Sequence, residues 1–270
     1  MFNVQKVLLL GAALVLGSAL NASAADLGGN LNEAPQMAPM PAPSAGWYAR
    51  VDGGYTLFTD PTIDAGGTIT RTTNTGIDNA WSVGGGIGRY FGRGFRGDIT
   101  VDHLFDATTE GSMYCECGTF LGDAKFDFSS TVLLANLYYD FNRGGRFVPY
   151  IGAGIGWAHN ETSSGTVDVA CGCEGSIAKG SSNNFAAAAM AGFSWRIRGG
   201  GTTYVGGMKD EPVAINNGHA LYLDVGYRFL YLGDAQTGDM TFDYPSEITQ
   251  PRVNNITAHQ IRVGLRYDLN

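Results

Sequence analysis

The sequence predicts an all-β protein, an eight-stranded antiparallel transmembrane β-barrel, from three observations. The last segment alternates strictly: Ile261, Val263, Leu265, Tyr267 and Leu269 fall on one face, and Arg262, Gly264, Arg266 and Asp268 on the other. Period two alone only requires one apolar face, but apolar outside with charge inside is how a membrane barrel strand reads. Seven earlier segments repeat the pattern. Finally, past the N-terminus no stretch approaches the roughly 18 apolar residues that a membrane helix needs. A chain of this kind that sits in a bilayer must therefore close its sheet.

Residues 1–24 read as a cleaved secretory signal. Lys6 is the only charge, Val7 to Leu16 is apolar, and Ala22-Ser23-Ala24 supplies the small-x-small site before Ala25. The apolar run is short and carries Gly11, which argues against a spanning helix. Between Glu33 and Pro43 four prolines favour an extended, solvated linker, so residues 25–45 are expected to form a periplasmic tail. Cleavage removes one Lys and no acid, leaving 16 basic and 25 acidic residues and a net charge of −9. That balance argues against a nucleic-acid partner, which would want a basic face.

Residues 46–270 supply the barrel. Its first segment, Gly46 to Phe58, directs Trp47, Ala49, Val51, Tyr55 and Leu57 outward and Arg50 and Asp52 inward. The second, Ala80 to Phe91, sets Trp81, Val83 and Ile87 against Ser82, Gly84, Gly86 and Gly88. In the third, Phe95 to Phe105, the outward Phe95, Ile99 and Val101 oppose Arg96, Asp98, Thr100 and Asp102. The fourth sets Leu133, Ala135, Leu137, Tyr139 and Phe141 against Asn136, Tyr138 and Asp140. Phe126 and Phe128 earlier in that segment have the opposite parity, which predicts a bulge near Ser129-Ser130 or an extension beyond the membrane.

The fifth segment, Phe147 to His159, carries Pro149, Ile151, Ala153, Ile155 and Trp157 outward over Tyr150, Gly152, Gly154 and Gly156, with Pro149 suited to the rim. The sixth, Phe185 to Trp195, is weakest, because Ala186 to Ala189 fits a helix equally well. The seventh turns Leu221, Leu223, Val225, Tyr227 and Phe229 out and Tyr222, Asp224 and Arg228 in. Glycine makes up 40 of 270 residues, about twice the ordinary share, and leaves room inside a narrow barrel. Short links at Gly92-Arg93-Gly94 and Asn142 to Gly145 alternate with long ones at 59–79, 106–124, 160–183 and 230–255. The long ones are expected to be four outer loops and the short ones periplasmic turns. Residues 196–219 break this alternation. A secreted β-sandwich is the rival architecture, but it needs neither aromatics at both strand ends nor a charge inside so many strands.

From Gly46 to its end the chain is similar to the alphaproteobacterial outer-membrane proteins with eight-stranded barrels, the opacity or immunogenic surface type. Trp47 to Tyr55, Leu137 to Phe141, Pro149 to Gly156, Gly226-Tyr227-Arg228 and Val263 to Tyr267 carry the likeness. The order from Arg262 to Leu269 also resembles the C-terminal assembly signal of such barrels, with Gly264, Tyr267 and Leu269 as its marked residues. The family pattern usually stops on Phe, whereas here Leu269 is followed by Asn270. The resemblance implies a cell outer-membrane location in a Gram-negative bacterium. It also implies lipid, lipopolysaccharide and the barrel-assembly machinery as partners, with any surface ligand unassigned.

The inward charges are the first candidates for function: Arg50, Asp52, Arg96, Asp98, Asp102, Asp140, Asp224, Arg228, Arg262 and Arg266. Eight strands enclose a lumen just wide enough for side chains, so these groups must pair. A structural salt-bridge core is the expectation, and a gate passing small ions is the sharper alternative. The second candidates are two CxC pairs, Cys115/Cys117 and Cys171/Cys173, in the second and third long links. Export favours disulfides over a four-thiolate metal site. Three connectivities exist, and bridging within one CxC would close a strained ring. His103, His159, His219 and His259 lie at no motif spacing to a candidate nucleophile. No catalytic, cofactor or metal residues are assigned. The expected role is a non-enzymatic surface barrel, with a loop-mediated adhesin or haem-type ligand binder and a narrow ion channel as alternatives.

Overall fold

The structure is a computed structural model that describes residues 46–66, 69–115, 118–142, 145–170, 174–199, 202–205, 213–216, 219–242 and 249–269. Residues 1–45, read from the sequence as a signal and a Pro-rich tail, and Asn270 lie outside the described residues. Among the described residues the elements are all strands: β1 (Trp47–Phe58), β2 (Thr62–Asp64), β3 (Ile69–Ile77), β4 (Ala80–Gly92), β5 (Phe95–Cys115), β6 (Phe120–Asp140), β7 (Phe147–Thr162) and β8 (Gly165–Val169) come first. They are followed by β9 (Glu174–Ile177), β10 (Gly180–Arg198), β11 (Thr202–Val205), β12 (Val213–Asn216), β13 (Leu221–Gln236), β14 (Met240–Phe242) and β15 (Arg252–Asp268).

Eight of these close a ring. Antiparallel pairing runs β1–β4–β5–β6–β7–β10–β13–β15 and returns from β15 to β1, where Val51 lies opposite Leu265 and Tyr55 opposite Ile261. Closure leaves these strands no unpaired edge along the apolar zone. At one end the hairpin between β4 and β5 is tight: Gly92, Arg93 and Gly94 all have positive φ, at 85°, 49° and 86°. Glycine adopts that region without cost, which explains the glycines flanking Arg93.

The outer surface of this ring is apolar. Val51, Trp81, Ile87, Ile99, Leu137, Ile155, Trp157 and Ile261 are each more than half exposed. In a protein surrounded by water this would be a large uncovered patch. From Trp47 to Leu57 the first strand runs ten residue steps, about 34 Å along its axis, which at a tilt near 40° matches an apolar band about 25 Å tall. All four tryptophans point outward, Trp47 and Trp195 at the tight-turn end and Trp81 and Trp157 toward the other.

The four long links are mostly sheet. β5, β6, β7, β10, β13 and β15 continue past the apolar band, and β2, β3, β8, β9 and β14 fill in between them. β8 pairs with β6 and β9, β14 with β9, β2 with β15 and β3 with β5. In this extension polarity is inverted. Phe126, Phe128, Met113, Ile177, Leu232, Met240, Val253 and Ile256 pack inside as one buried core, while Asp64, Arg71, Glu110, Asp123, Lys125 and Asp168 face out. Phe126 and Phe128 lie in an unbroken β6, and the irregularity sits in the partner strand, between Leu104 and Ala107 of β5. Their parity therefore marks the extension and not a bulge at Ser129-Ser130.

Two ambiguities in the pattern are resolved. Ala186 to Ala189 is strand, paired with β7 and β13, and Ala186 and Ala188 are buried on the inner face where a larger residue would crowd the lumen. Residues 196–219 contain an insertion. The β10–β13 pairing stops at Arg198 opposite Leu221, and β11 and β12 form a separate two-stranded sheet.

Candidate functional site: the lumen and the two rims

Inside the band every strand turns alternate residues toward a shared axis. The ten charged residues named from the sequence are all buried there, five arginines and five aspartates whose formal charges cancel. Near the tight-turn end Arg96 forks onto Asp140, with Nε 3.0 and 3.2 Å from the two carboxylate oxygens. Its guanidinium also lies over the Tyr138 ring, 4.0 Å from the centroid, and 5.0 Å from that of Tyr150. Arg266 pairs with Asp224 at 3.1 Å and donates to Tyr90 Oη at 2.5 Å and Ser194 Oγ at 2.8 Å.

In the middle layer Arg50 contacts Asp52 at 3.0 Å and Asp98 at 3.3 Å, and donates to Tyr138 Oη at 3.0 Å. Asp98 also accepts from Tyr48 Oη at 3.0 Å and from the Asn136 amide at 2.8 Å. Above this, Asp102 takes both Arg228 at 2.8 Å and Arg262 at 2.5 Å. Arg262 further contacts Asp52, and Arg228 Nε donates to Gln260 Oε1 at 2.6 Å. A void of about 20 Å³ beside Arg50, Asp52, Arg228 and Arg262 has room for a water molecule but not for a solvent column.

Glycine makes this filling possible. A Cβ on Gly88 would strike the Tyr48 ring, and one on Gly84 would strike the Asp102 carboxylate. The glycines of β4 are thus occupied by the side chains of β1 and β5 leaning over them. The tyrosines Tyr48, Tyr90, Tyr138, Tyr150 and Tyr222, with Asn136 and Gln260, are network members that charge counting alone misses. Their signal in the sequence is position, since the tyrosines and Asn136 sit at the inward parity of segments already identified, and Gln260 continues the parity of the last one.

The charge layer is capped. Past Asp102 the inward faces carry Leu104, Val132, Ala158, Leu230 and Ala258, with the buried Ser130, Asn160 and Gln260 among them, and then the apolar core of the extension. The salt-bridge layer is thus followed along the lumen by an apolar one.

Cys115 ends β5 with its backbone opposite Ile69. Cys117, Cys171 and Cys173 lie outside the described residues, as does the Cys115 side chain. Gly264 sits between Asp52 and Asp224 of the neighbouring strands, and a Cβ there would come within 2.5 Å of Asp52 Cβ. Tyr267 and Leu269 are 44% and 46% exposed on the outer face. The histidines occupy the periphery. His103 contacts Thr131 at 3.0 Å, His159 contacts Asn183 at 2.9 Å, His219 the Asp268 carbonyl at 2.9 Å and His259 the Tyr227 hydroxyl at 2.6 Å. Among the described residues no group of three His, Cys, Asp or Glu side chains is arranged to hold a metal ion.

No family model matches the sequence. The chain is 26% identical over 297 aligned positions to an uncharacterised protein of Brucella abortus, covering 95% of this chain and 97% of that one. A segment of 75 residues is 39% identical to the outer membrane protein PagN of Salmonella typhimurium, covering 28% of this chain and 31% of PagN. Among solved structures, the outer membrane protein OprG of Pseudomonas aeruginosa is similar with a TM-score of 0.44 and 16% identity, over 82% of this chain and 96% of that one.

Proposed function

We propose that this chain, an eight-stranded β-barrel of the Gram-negative outer membrane, is a non-enzymatic surface protein whose sealed interior holds a rigid platform above the membrane. One observation carries the reading: the lumen is filled by a charge-neutral salt-bridge layer and then closed by an apolar core. A conducting protein needs a wet path, and here the lid is made of Phe126, Phe128, Leu232 and Met240 packed together. Lipid, lipopolysaccharide and the assembly machinery are the partners this role requires.

Planar-bilayer recording tests the sealed lumen. The reading requires no steady conductance from the inserted protein, and unitary currents that persist at neutral pH would overturn it. A second reading assigns ligand capture or adhesion to the extension. It is favoured by the exposed acids Asp64, Glu110, Asp123, Glu161 and Asp168, which suit a cationic partner and repel a polyanion. Binding of host cells or ligands to bacteria carrying the barrel, compared with bacteria whose β5–β6 tip is shortened, separates a platform from an adhesin.

A further inference from the structure

The tight-turn rim carries a charge pattern that the lumen does not use. Arg89, Arg93, Arg146 and Arg198 are exposed there, and among the described residues no exposed acid shares that rim. Asp140 and Asp224 are consumed by Arg96 and Arg266 inside the barrel, and Asp268, half-buried at this rim, accepts from Tyr90 Oη at 2.8 Å. At the opposite end acids prevail.

Two of the four arginines are fixed on the outside by tryptophan. The Arg89 guanidinium lies 5.7 Å from the Trp47 ring centroid, and Arg146 lies 5.5 Å from that of Trp195. Trp47 and Trp195 are 46% and 43% exposed. The Arg196 amide donates to the Arg146 carbonyl at 2.8 Å, which ties the second pair to β10. An indole on the outer face at the border of an apolar band sits at the headgroup level of a bilayer. A guanidinium laid on its face is held at that same level, with N–H groups free to fork onto a phosphate. Arg93, at the tip of the β4–β5 turn, and Arg198, at the end of β10, continue the belt around half the ring.

We infer that this rim is a binding belt for anionic phospholipid headgroups, with Arg89, Arg93, Arg146 and Arg198 as its phosphate contacts. Tight turns face the periplasm in barrels of this type, and the leaflet on that side of the outer membrane is built of phospholipid. The belt therefore fixes depth and tilt by charge where the tryptophans fix them by amphipathic fit.

The experiment uses the full-length protein in detergent, given equal amounts of phosphatidylglycerol and phosphatidylcholine with matched acyl chains, with bound lipid read by native mass spectrometry. The expected result is preferential retention of phosphatidylglycerol, weakening as salt rises. Substitution of the four arginines by glutamine should lower that preference by roughly fivefold for each arginine removed. R71Q with R252Q, at the opposite end, should leave it unchanged. If the quadruple variant does not insert, R93Q with R198Q spares both tryptophan pairs and still lowers the preference. Equal retention of both lipids by the unmodified protein, or an unchanged preference in the arginine variants, would each overturn the inference.

Discussion

Arg228 on β13 reaches Asp102 on β5 at 2.8 Å, joining strands that stand diametrically opposite in the eight-membered ring. The pair is 126 residues apart in sequence and both side chains are buried. It acts as a strut across the lumen and not as a staple between neighbours. Asp102 also receives Arg262, so one carboxylate anchors guanidinium groups from two other strands.

Removing that carboxylate should be costly. Asp102→Ala leaves Arg228 without its carboxylate partner and Arg262 with Asp52 alone, and breaking a buried pair from one side costs about 3–5 kcal/mol. Glu110→Gln breaks an ion pair of similar length with Lys125, but both partners are 61% exposed, and such pairs contribute at most about 1 kcal/mol. Urea unfolding in micelles, followed by heat-modifiable migration, should separate the two variants clearly.

Gly264→Ala tests how tightly the lumen is filled. The added methyl would press on Asp52 Cβ and the Val51 carbonyl, and overpacking of this kind costs about 1–3 kcal/mol. Gly76→Ala adds the same methyl in the extension, where nothing lies within 4 Å. Its midpoint should move little by comparison.

On the terminal strand the two faces should respond differently to charge. Tyr267→Asp puts a carboxylate on the outer face, at a depth-dependent cost on the order of 1 kcal/mol or more. Asp268→Asn lies on the inner side, where it accepts from Tyr90 Oη at 2.8 Å and an amide oxygen can still accept. Outer-membrane insertion in cells should fall for the first variant and hold for the second.

Phe128→Ala tests the lid. Phe128 is 1% exposed and meets Phe58 edge-on at 5.8 Å. Truncating a buried Phe costs about 3–5 kcal/mol, so the melting temperature should drop. Bilayer conductance should nevertheless stay at the baseline, because the Asp102 layer below remains closed.

The cysteines give a separate expectation. Cys115 and Cys117 should be bonded to Cys171 and Cys173 across the two long links, closing a chain of about 55 residues and contributing roughly 4 kcal/mol in the chain-entropy model. Thiol labelling of intact cells before and after reduction checks it. Four thiols that label without reduction would contradict the pairing.

The barrel was legible because lipid imposes one rule on every strand, so alternation in segments such as Leu133 to Phe141 reads the same way each time. The extension was not, because the rule reverses there. Phe126 and Phe128 looked like a register fault only while the outside was assumed to be apolar throughout. Which arginine meets which aspartate was also hidden, since the Arg228–Asp102 contact depends on the stagger accumulated over four strand pairings. The arginine belt left a trace in Arg89, Arg93, Arg146 and Arg198 lying near chain turns, but only the three-dimensional rim shows that no exposed acid accompanies them among the described residues.

The reversal along β6 has a practical meaning. Between Leu137 and Phe126 the strand passes from a nonaqueous solvent outside to a nonaqueous solvent inside without a break in its hydrogen-bond ladder. A substitution matrix for this protein must therefore change sign partway along a single strand. Polar residues are disfavoured at odd positions near Leu137 and at Phe126 and Phe128, while Ser130 is buried only because it donates to Asn160, so a library designed with one rule for the whole strand would misjudge one end of it.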